Sequence, residues 1–98
     1  MTREDILIGA GDAVSGTRHE DYGKAEDNFK TIAKLWNAYL HDAVSIEAKD
    51  VAAMMALLKI ARISSGHAKS DNWIDLAGYA ACGGEIESKK EMETDNHG

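Results

Sequence analysis

The spacing of apolar residues along the chain predicts four helical segments. The first runs from about Arg3 to Val14, with apolar side chains at helical spacing. The second, from about Ala25 to Leu40, has the clearest pattern, because its apolar residues recur every three or four positions and polar residues fill the remaining ones. Its predicted buried face comprises Phe29, Ile32, Ala33, Trp36, Tyr39 and Leu40.

The third and fourth segments complete a predicted bundle. The third, "SIEAKDVAAMMALLKIARI", begins with Ser45 as a predicted N-cap and is apolar on almost every side, which favours a helix in the middle of a bundle. The fourth, "SDNWIDLAGYAAC", begins with Ser70 as a second cap and is predicted to end at Gly83. No stretch alternates with a period of two, so the predicted fold is all-α, with about four helices.

Composition and charge narrow the class of protein. The 98 residues contain no proline and one cysteine, so the sequence predicts a single domain without an internal disulfide, in a reducing compartment such as the cytoplasm. No apolar run is long enough to span a bilayer, and no membrane association is predicted.

The net charge of −6 is unevenly placed along the chain. The segment 85–98 holds five acids and two lysines, which predicts a helical domain over 1–84 followed by a flexible acidic tail over 85–98. The body is mildly acidic as well, and its sequence shows no basic face that would neutralise nucleic-acid phosphates. Nucleic-acid binding is therefore not predicted.

Several charged residues occupy positions that helix patterning does not require. Asp71, Asp75 and Tyr79 are spaced by four, so they share one face of the fourth helix. Asp75 stands between two apolar residues, where an unpaired carboxylate would be costly. Lys59 and Arg62 are positively charged residues on the largely apolar third helix, where an unpaired charge would also be costly.

Two arrangements would explain these charges, and the sequence does not distinguish between them. In the first, Asp75 pairs with Lys59 or Arg62 as a tie between helices. In the second, these groups face a shared pocket, where carboxylates hold Mg²⁺ and the two bases bind phosphate. The polar start of the second helix would form a further wall of that pocket, with Tyr22 in the turn that closes it; the simpler alternative is a capped helix.

A resemblance supports the pocket. "DYGKAEDNFKTIAKLWNAYL", "KDVAAMMALLKIAR" and "DNWIDLAGYAA", in this order, resemble a family of small phage and prophage proteins over roughly residues 20–82. They are also similar to the nucleotide-modification-associated domain of phage genomes. The resemblance implies a phage-encoded protein of the host-cell cytoplasm that acts on, or binds, nucleotides.

A more distant resemblance is to the all-α, MazG-type nucleotide pyrophosphohydrolases, which bind Mg²⁺ through an E-x-x-E and an E-x-x-D pair. Asp75 matches the aspartate of the second motif, Asn72 stands where its glutamate should be, and Asp71 is the candidate substitute. The first motif is absent, since Glu26 and Asp27 are adjacent and no acid follows three residues later. This departure leaves open whether the protein is an enzyme.

The predicted function is that of a phage-type nucleotide-binding protein, related to Mg²⁺-dependent pyrophosphohydrolases. Two alternatives stay open: a non-catalytic binder that sequesters a host nucleotide immune signal, and a self-associating structural or regulatory protein. A homo-oligomer is predicted in each case, because the third helix is apolar nearly all round. The predicted metal ligands are Glu26, Asp27, Asp71 and Asp75. The predicted phosphate or ligand contacts are Tyr22, Asn28, Lys59, Arg62, Asn72 and Tyr79.

Overall fold

The computed structural model describes residues 1–15, 25–66 and 69–97, the last five of them as backbone only. Its four helices are α1 (Arg3–Ser15), α2 (Ala25–Tyr39), α3 (Ala48–Ser64) and α4 (Ser70–His97). No strand occurs in these ranges, which confirms the predicted all-α fold of four helices. None of the four is long and apolar enough to cross a membrane.

The helix that contacts all the others is α4. It packs against α3, α1 and α2, while α2 also packs against α3. Two glycines allow this close packing: a Cβ atom on Gly9 would lie 3.1 Å from Cδ1 of Ile74, and one on Gly83 would lie 3.3 Å from Cβ of Ala52. The prediction that the third segment occupies the middle of the bundle is therefore wrong, and α4 holds that position.

The core between α2 and α3 is small. Its buried side chains are Phe29, Ala33, Ala48, Val51 and Ala52, and partly buried apolar residues of α2, α3 and α4 surround them. Because three of these five residues are alanines, little apolar surface is removed from water, and the burial of each larger side chain contributes a large share of the stability.

A side-chain clasp fixes the connection between α2 and α3. The amide of Asn37 donates a hydrogen bond to the Ile46 carbonyl oxygen (2.9 Å) and accepts one from the Ile46 N–H (2.8 Å). Within the loop, His41 and Asp42 adopt positive φ angles of 54° and 59°, which histidine and aspartate tolerate better than most residues. The clasp holds Ile46 outside the helix.

The start of α3 differs from the predicted one. Ser45 is not the N-cap; Glu47 occupies that position with extended backbone (φ −108°, ψ 171°), and its N–H donates to Oδ2 of Asp50 at 2.9 Å. An acidic residue in the first turn satisfies a backbone donor and complements the helix dipole. Glu47 is therefore the N-cap residue of α3, two positions after Ser45, and Asp50 satisfies its backbone N–H.

The end of α4 also differs from the prediction. The helix continues through Gly83 and Gly84 to His97, so Gly83 does not terminate it. Beyond the glycines, Ile86 packs against the core, and Lys89 and Lys90 form ion pairs with Glu26 and Glu47. These contacts favour helix across a pair of residues that alone would end one. The flexibility of 85–98 and the division of the chain at residue 84 stay predictions.

Candidate functional site

Four of the predicted site residues lie together between α3 and α4. Nζ of Lys59 is 3.0 Å from Oδ2 of Asp75, and their side chains are 17% and 30% exposed. One turn further along α3, Nε of Arg62 donates to Oδ1 of Asn72 at 3.3 Å, and Asn72 is 5% exposed. The ion pair and the hydrogen bond tie the two helices together. The tie anticipated from the sequence is therefore formed, and a ligand-binding role for these groups stays a prediction.

The other predicted site residues are distributed over the surface and core. The Tyr79 ring packs against Phe29, with centroids 6.2 Å apart, and is half-buried. Asp27 and Asn28 are exposed on the first turn of α2, and Asp71 is exposed at the start of α4. Tyr22 lies outside the described residues.

The predicted metal ligands do not form one cluster with each other. Glu26 pairs with Lys89 (3.0 Å) and Lys30 (3.7 Å), whereas Asp75 pairs with Lys59. Within 1–15, 25–66 and 69–92, no group of three or more His, Cys, Asp and Glu side chains could hold a metal ion. The Mg²⁺ site stays a prediction.

A groove of about 500 Å³ lies where α2, the start of α3 and the second half of α4 meet. We call it the lysine groove. Its apolar floor is formed by residues such as Ala33, Ile46 and Ile86, and Glu26 and Glu47 stand at its sides. The five lysines that line it are Lys30, Lys34, Lys49, Lys89 and Lys90. Lysines outnumber carboxylates in the described lining, so the groove is positively charged in a chain whose net charge is −6.

Two ion pairs organise the lysine groove. Lys89 donates a hydrogen bond to Oε2 of Glu26 at 3.0 Å, which lowers the pKa of Glu26 and raises the pKa of Lys89. Lys90 donates to Oε2 of Glu47 at 2.8 Å, which raises the pKa of Lys90. The shifts of Glu26 and Lys89 favour the charged form of that pair near neutral pH, and both pairs attach the second half of α4 to α2 and to the start of α3.

The lysine groove is not evident from the sequence, because its lysines come from three separate segments. Two of them, Lys89 and Lys90, lie in the part of the chain that was assigned to an acidic tail. Two signals were available: Lys30 and Lys34 are four residues apart on the polar face of α2, and the Lys89–Lys90 pair interrupts a run of acids. The prediction that the chain has no basic face overlooked this local concentration of charge.

A second cavity, of about 340 Å³, adjoins the groove and shares Glu26, Ile86 and Lys89 with it. It extends between the end of α1 and the middle of α4, and Cys82 is in its wall. Burial, and to a lesser extent the charge of Glu85, raises the pKa of the Cys82 thiol. The thiol is therefore protonated near neutral pH, which is typical of a partly buried structural cysteine rather than a nucleophile.

Four packed helices and a positively charged groove define a small all-α protein with a candidate site for an anion. Comparison with known proteins gives its family: the chain belongs to the family described as "Domain of unknown function (DUF6378)", whose model matches residues 5–87. The predicted resemblance to a family of small phage proteins is confirmed.

Two curated phage proteins are similar to the chain. The Gene 55 protein of Mycobacterium phage L5 is 45% identical over 75 residues, which are 76% of this chain and 47% of that protein. The Gene 55 protein of Mycobacterium phage D29 is 42% identical over 79 residues, which are 81% of this chain and 51% of that protein. The chain thus spans about half the length of these relatives. No solved structure matches it.

Proposed function

We propose that this phage-family protein binds a nucleotide, or a small molecule derived from one, through its phosphate groups in the lysine groove. The observation that carries the proposal is the convergence of five lysines on one groove in an acidic chain. Ammonium groups bind phosphate oxygens as point charges, and a volume of about 500 Å³ lies within the usual range for small-molecule sites.

Two of the groove lysines are available to a ligand. In the described part of the chain, neither Lys34 nor Lys49 forms an ion pair, whereas Lys89 and Lys90 hold Glu26 and Glu47. A multiply charged phosphate would reduce the repulsion between these crowded cations, which is a source of binding free energy. The apolar floor beside them supplies a surface for the uncharged part of the ligand.

The groove is a better place for the phosphates than the pocket expected from the sequence. Lys59 and Arg62 each have a partner on α4, so a ligand there would have to displace an existing contact. Only Glu26 of the predicted metal ligands lines the groove. A Mg²⁺ ion that arrived with the phosphates would have to compete with Lys89 and Lys30 for Glu26, so in this groove it would be held mainly by the phosphates and water.

The first experiment is a thermal-shift screen of mono-, di- and triphosphate nucleotides and cyclic nucleotides, each with and without Mg²⁺. A ligand that binds the native state raises the midpoint of unfolding. We expect at least one nucleotide to raise it well beyond the same concentration of inorganic phosphate. A screen in which no nucleotide exceeds inorganic phosphate would refute the proposal.

The second experiment assigns binding to the groove. Lys34→Ala and Lys49→Ala each remove one charge-assisted contact, so we expect calorimetry to show affinity for the best nucleotide reduced by about tenfold or more. Neither change breaks an ion pair within the described residues, so stability should be preserved. Lys69→Ala, an exposed lysine outside the groove, is the matched control and should bind as the wild type does. Equal affinity of all three variants would exclude this site.

A third measurement separates the catalytic from the non-catalytic form of the proposal. The bound nucleotide is incubated with the protein and Mg²⁺ and followed by phosphorus NMR. Cleavage between the α and β phosphates would support a relative of the MazG-type pyrophosphohydrolases. Recovery of intact ligand, with slow dissociation, would support a binder that sequesters a nucleotide signal of the host.

A further inference from the structure

The cavity of about 340 Å³ beside the lysine groove is lined differently from the groove itself. It lies between the end of α1 and the middle of α4, and we call it the α1–α4 cavity. The apolar side chains of its described lining are Val14, Ala25, Ala81, Cys82 and Ile86. Because the body of a small molecule is bound mainly by apolar groups, this cavity suits the uncharged part of a ligand better than its phosphates.

The α1–α4 cavity and the lysine groove meet at one ion pair. Glu26 and Lys89 line both of them, and Nζ of Lys89 lies 3.0 Å from Oε2 of Glu26. The cavity with its apolar lining is on one side of this pair, and the groove with Lys34 and Lys49 is on the other. An uncharged region, a polar boundary and a cationic region therefore follow one another, which is the order of base, sugar and phosphates in a nucleotide.

Two further polar groups in the described lining of the α1–α4 cavity present hydrogen-bond acceptors. Oγ of Ser15 donates to the carbonyl oxygen of Gly11 at 2.6 Å, which leaves the lone pairs of Oγ free to accept. Oε1 of Glu85 is 3.7 Å from Nζ of Lys89, which is longer than a hydrogen bond, and an ionised carboxylate only accepts. This lining therefore matches a base that brings N–H donors, such as the amino groups of adenine and cytosine.

We infer that the α1–α4 cavity receives the base of the nucleotide whose phosphates bind in the lysine groove, and that it selects a base with an exocyclic amino group. The inference rests on the proposed function and adds the direction of the ligand, with its base towards α1 and its phosphates towards the start of α3. An exocyclic amino group donates to the carboxylate of Glu85 or to Oγ of Ser15. A carbonyl oxygen at the same position of the base would face their lone pairs instead.

A variant with a filled cavity separates the binding of the base from the binding of the phosphates. Ala81→Phe adds a ring to the cavity wall, so we expect calorimetry to show the affinity for the best nucleotide reduced by about tenfold or more. Inorganic triphosphate has no base, and its affinity should not change. Ala80→Phe is the matched control, because Ala80 is exposed next to Ala81 and is outside the described lining of cavity and groove. Unchanged nucleotide binding by Ala81→Phe, or an equal loss of inorganic triphosphate, would overturn the inference.

Nuclear Overhauser contacts locate the base in the wild type, without any substitution. In a complex of isotope-labelled protein with unlabelled nucleotide, the base protons should show contacts to the methyl groups of Val14 and Ala81, which line the cavity. Contacts only to Ala33 and Ala48, which line the groove, would overturn the inference and leave the proposed function standing. A wild type that binds no nucleotide would instead refute the proposed function itself.

Two pairs of nucleotides test the preference for an amino group. Uridine triphosphate has a carbonyl oxygen where cytidine triphosphate has an amino group, and inosine and adenosine triphosphates differ in the same way. We expect the amino-bearing member of each pair to bind about tenfold more tightly, as for one hydrogen bond to a charged acceptor. Glu85→Gln should reduce this ratio, and Glu87→Gln, an exposed acid outside the described lining, should not. Equal affinities within both pairs would overturn the selection of the base.

Discussion

Lys59 on α3 and Asp75 on α4 form a partly shielded ion pair, with 3.0 Å between Nζ and Oδ2. In the chain, Lys59 and Asp75 lie on either side of the α3–α4 connection. Their ion pair lies beside the hydrogen bond from Arg62 to Asn72. The charges that helix patterning could not explain are therefore arranged as two neighbouring polar contacts across one helix interface. Such contacts favour one rotation of α3 about its own axis over others, because each polar group keeps its partner in that rotation only.

Loss of the Asp75 carboxylate should destabilise the protein. A fully buried pair loses about 3–5 kcal/mol when one partner is removed, and an exposed pair loses about 0–1 kcal/mol. Since this pair is partly exposed, Asp75→Asn should lower the free energy of unfolding by about 1–2 kcal/mol in a denaturant melt. Glu91→Gln, an exposed acid on the same helix, should change it by less than about 0.5 kcal/mol. An unchanged melt combined with lost nucleotide binding would instead favour a ligand role for Asp75.

Gly83 and Gly84 should respond to substitution in opposite directions. A side chain at Gly83 would press on Ala52, so Gly83→Leu should destabilise the protein by about 1–3 kcal/mol through overpacking. A Cβ atom at Gly84 meets nothing within 4 Å, so Gly84→Ala should stabilise it by about 0.5–1 kcal/mol through helix propensity. Thermal melts of the two variants measure both effects. If α4 ended at Gly83, alanine at 84 would bring no such gain.

The Glu26–Lys89 pair should give a specific pH dependence. The folded-state pKa of Glu26 lies below its ordinary value of 4.5, so its stabilising contribution is complete above pH 4.5 and is lost as the pH falls through the folded pKa. The folded-state pKa of Lys89 lies above 10.5, so its contribution is complete below pH 10.5 and is lost as the pH rises further. Between pH 4.5 and pH 10.5 the pair therefore makes a constant contribution to the free energy of unfolding.

An NMR titration of the Glu26 carboxyl group measures this directly. Its midpoint should lie below 4.5 in the wild type and move up towards 4.5 in Lys89→Met, because the hydrogen bond from Lys89 is the largest cause of the shift. Lys69→Met removes a distant lysine and should leave the midpoint unchanged. A wild-type midpoint that Lys89→Met does not alter would show that the pair is not formed in solution.

The positions of the helices could be predicted from the sequence where the spacing of apolar residues determined them. The starts of α1 at Arg3, α2 at Ala25 and α4 at Ser70 agree with the predicted starts, because periodicity acts within a few residues. Ser70 is the first helical residue of α4, and its role as an N-cap stays a prediction. Two helix boundaries could not be predicted in this way, namely the start of α3 and the end of α4. Helix α3 does not begin at Ser45, because the side chain of Asn37 forms hydrogen bonds with both the N–H and the carbonyl oxygen of Ile46. Gly83 did not end α4 because tertiary contacts beyond it favour helix.

The candidate site was harder to predict than the fold. The contact between Lys59 and Asp75 was one of two open alternatives, since opposite charges on two apolar helices have few other partners. The lysine groove was not predicted. It forms only when Lys89 and Lys90 pack against Glu26 and Glu47, and the acidic composition of 85–98 had led to the prediction of a flexible tail there. A contact between residues 63 positions apart leaves no trace in local spacing.

The Asn37 clasp has a consequence for the order of folding. It joins residues nine positions apart, whereas the Lys89–Glu26 contact closes a loop of 63. The longer closure costs about 1.7 kcal/mol more in chain entropy, by the logarithmic dependence on loop length. We therefore expect the α2–α3 hairpin to form early in the folding transition state and the docking of the second half of α4 to follow. On that route, the lysine groove acquires its shape only after the hairpin has formed, so a ligand that binds there stabilises a late step of folding.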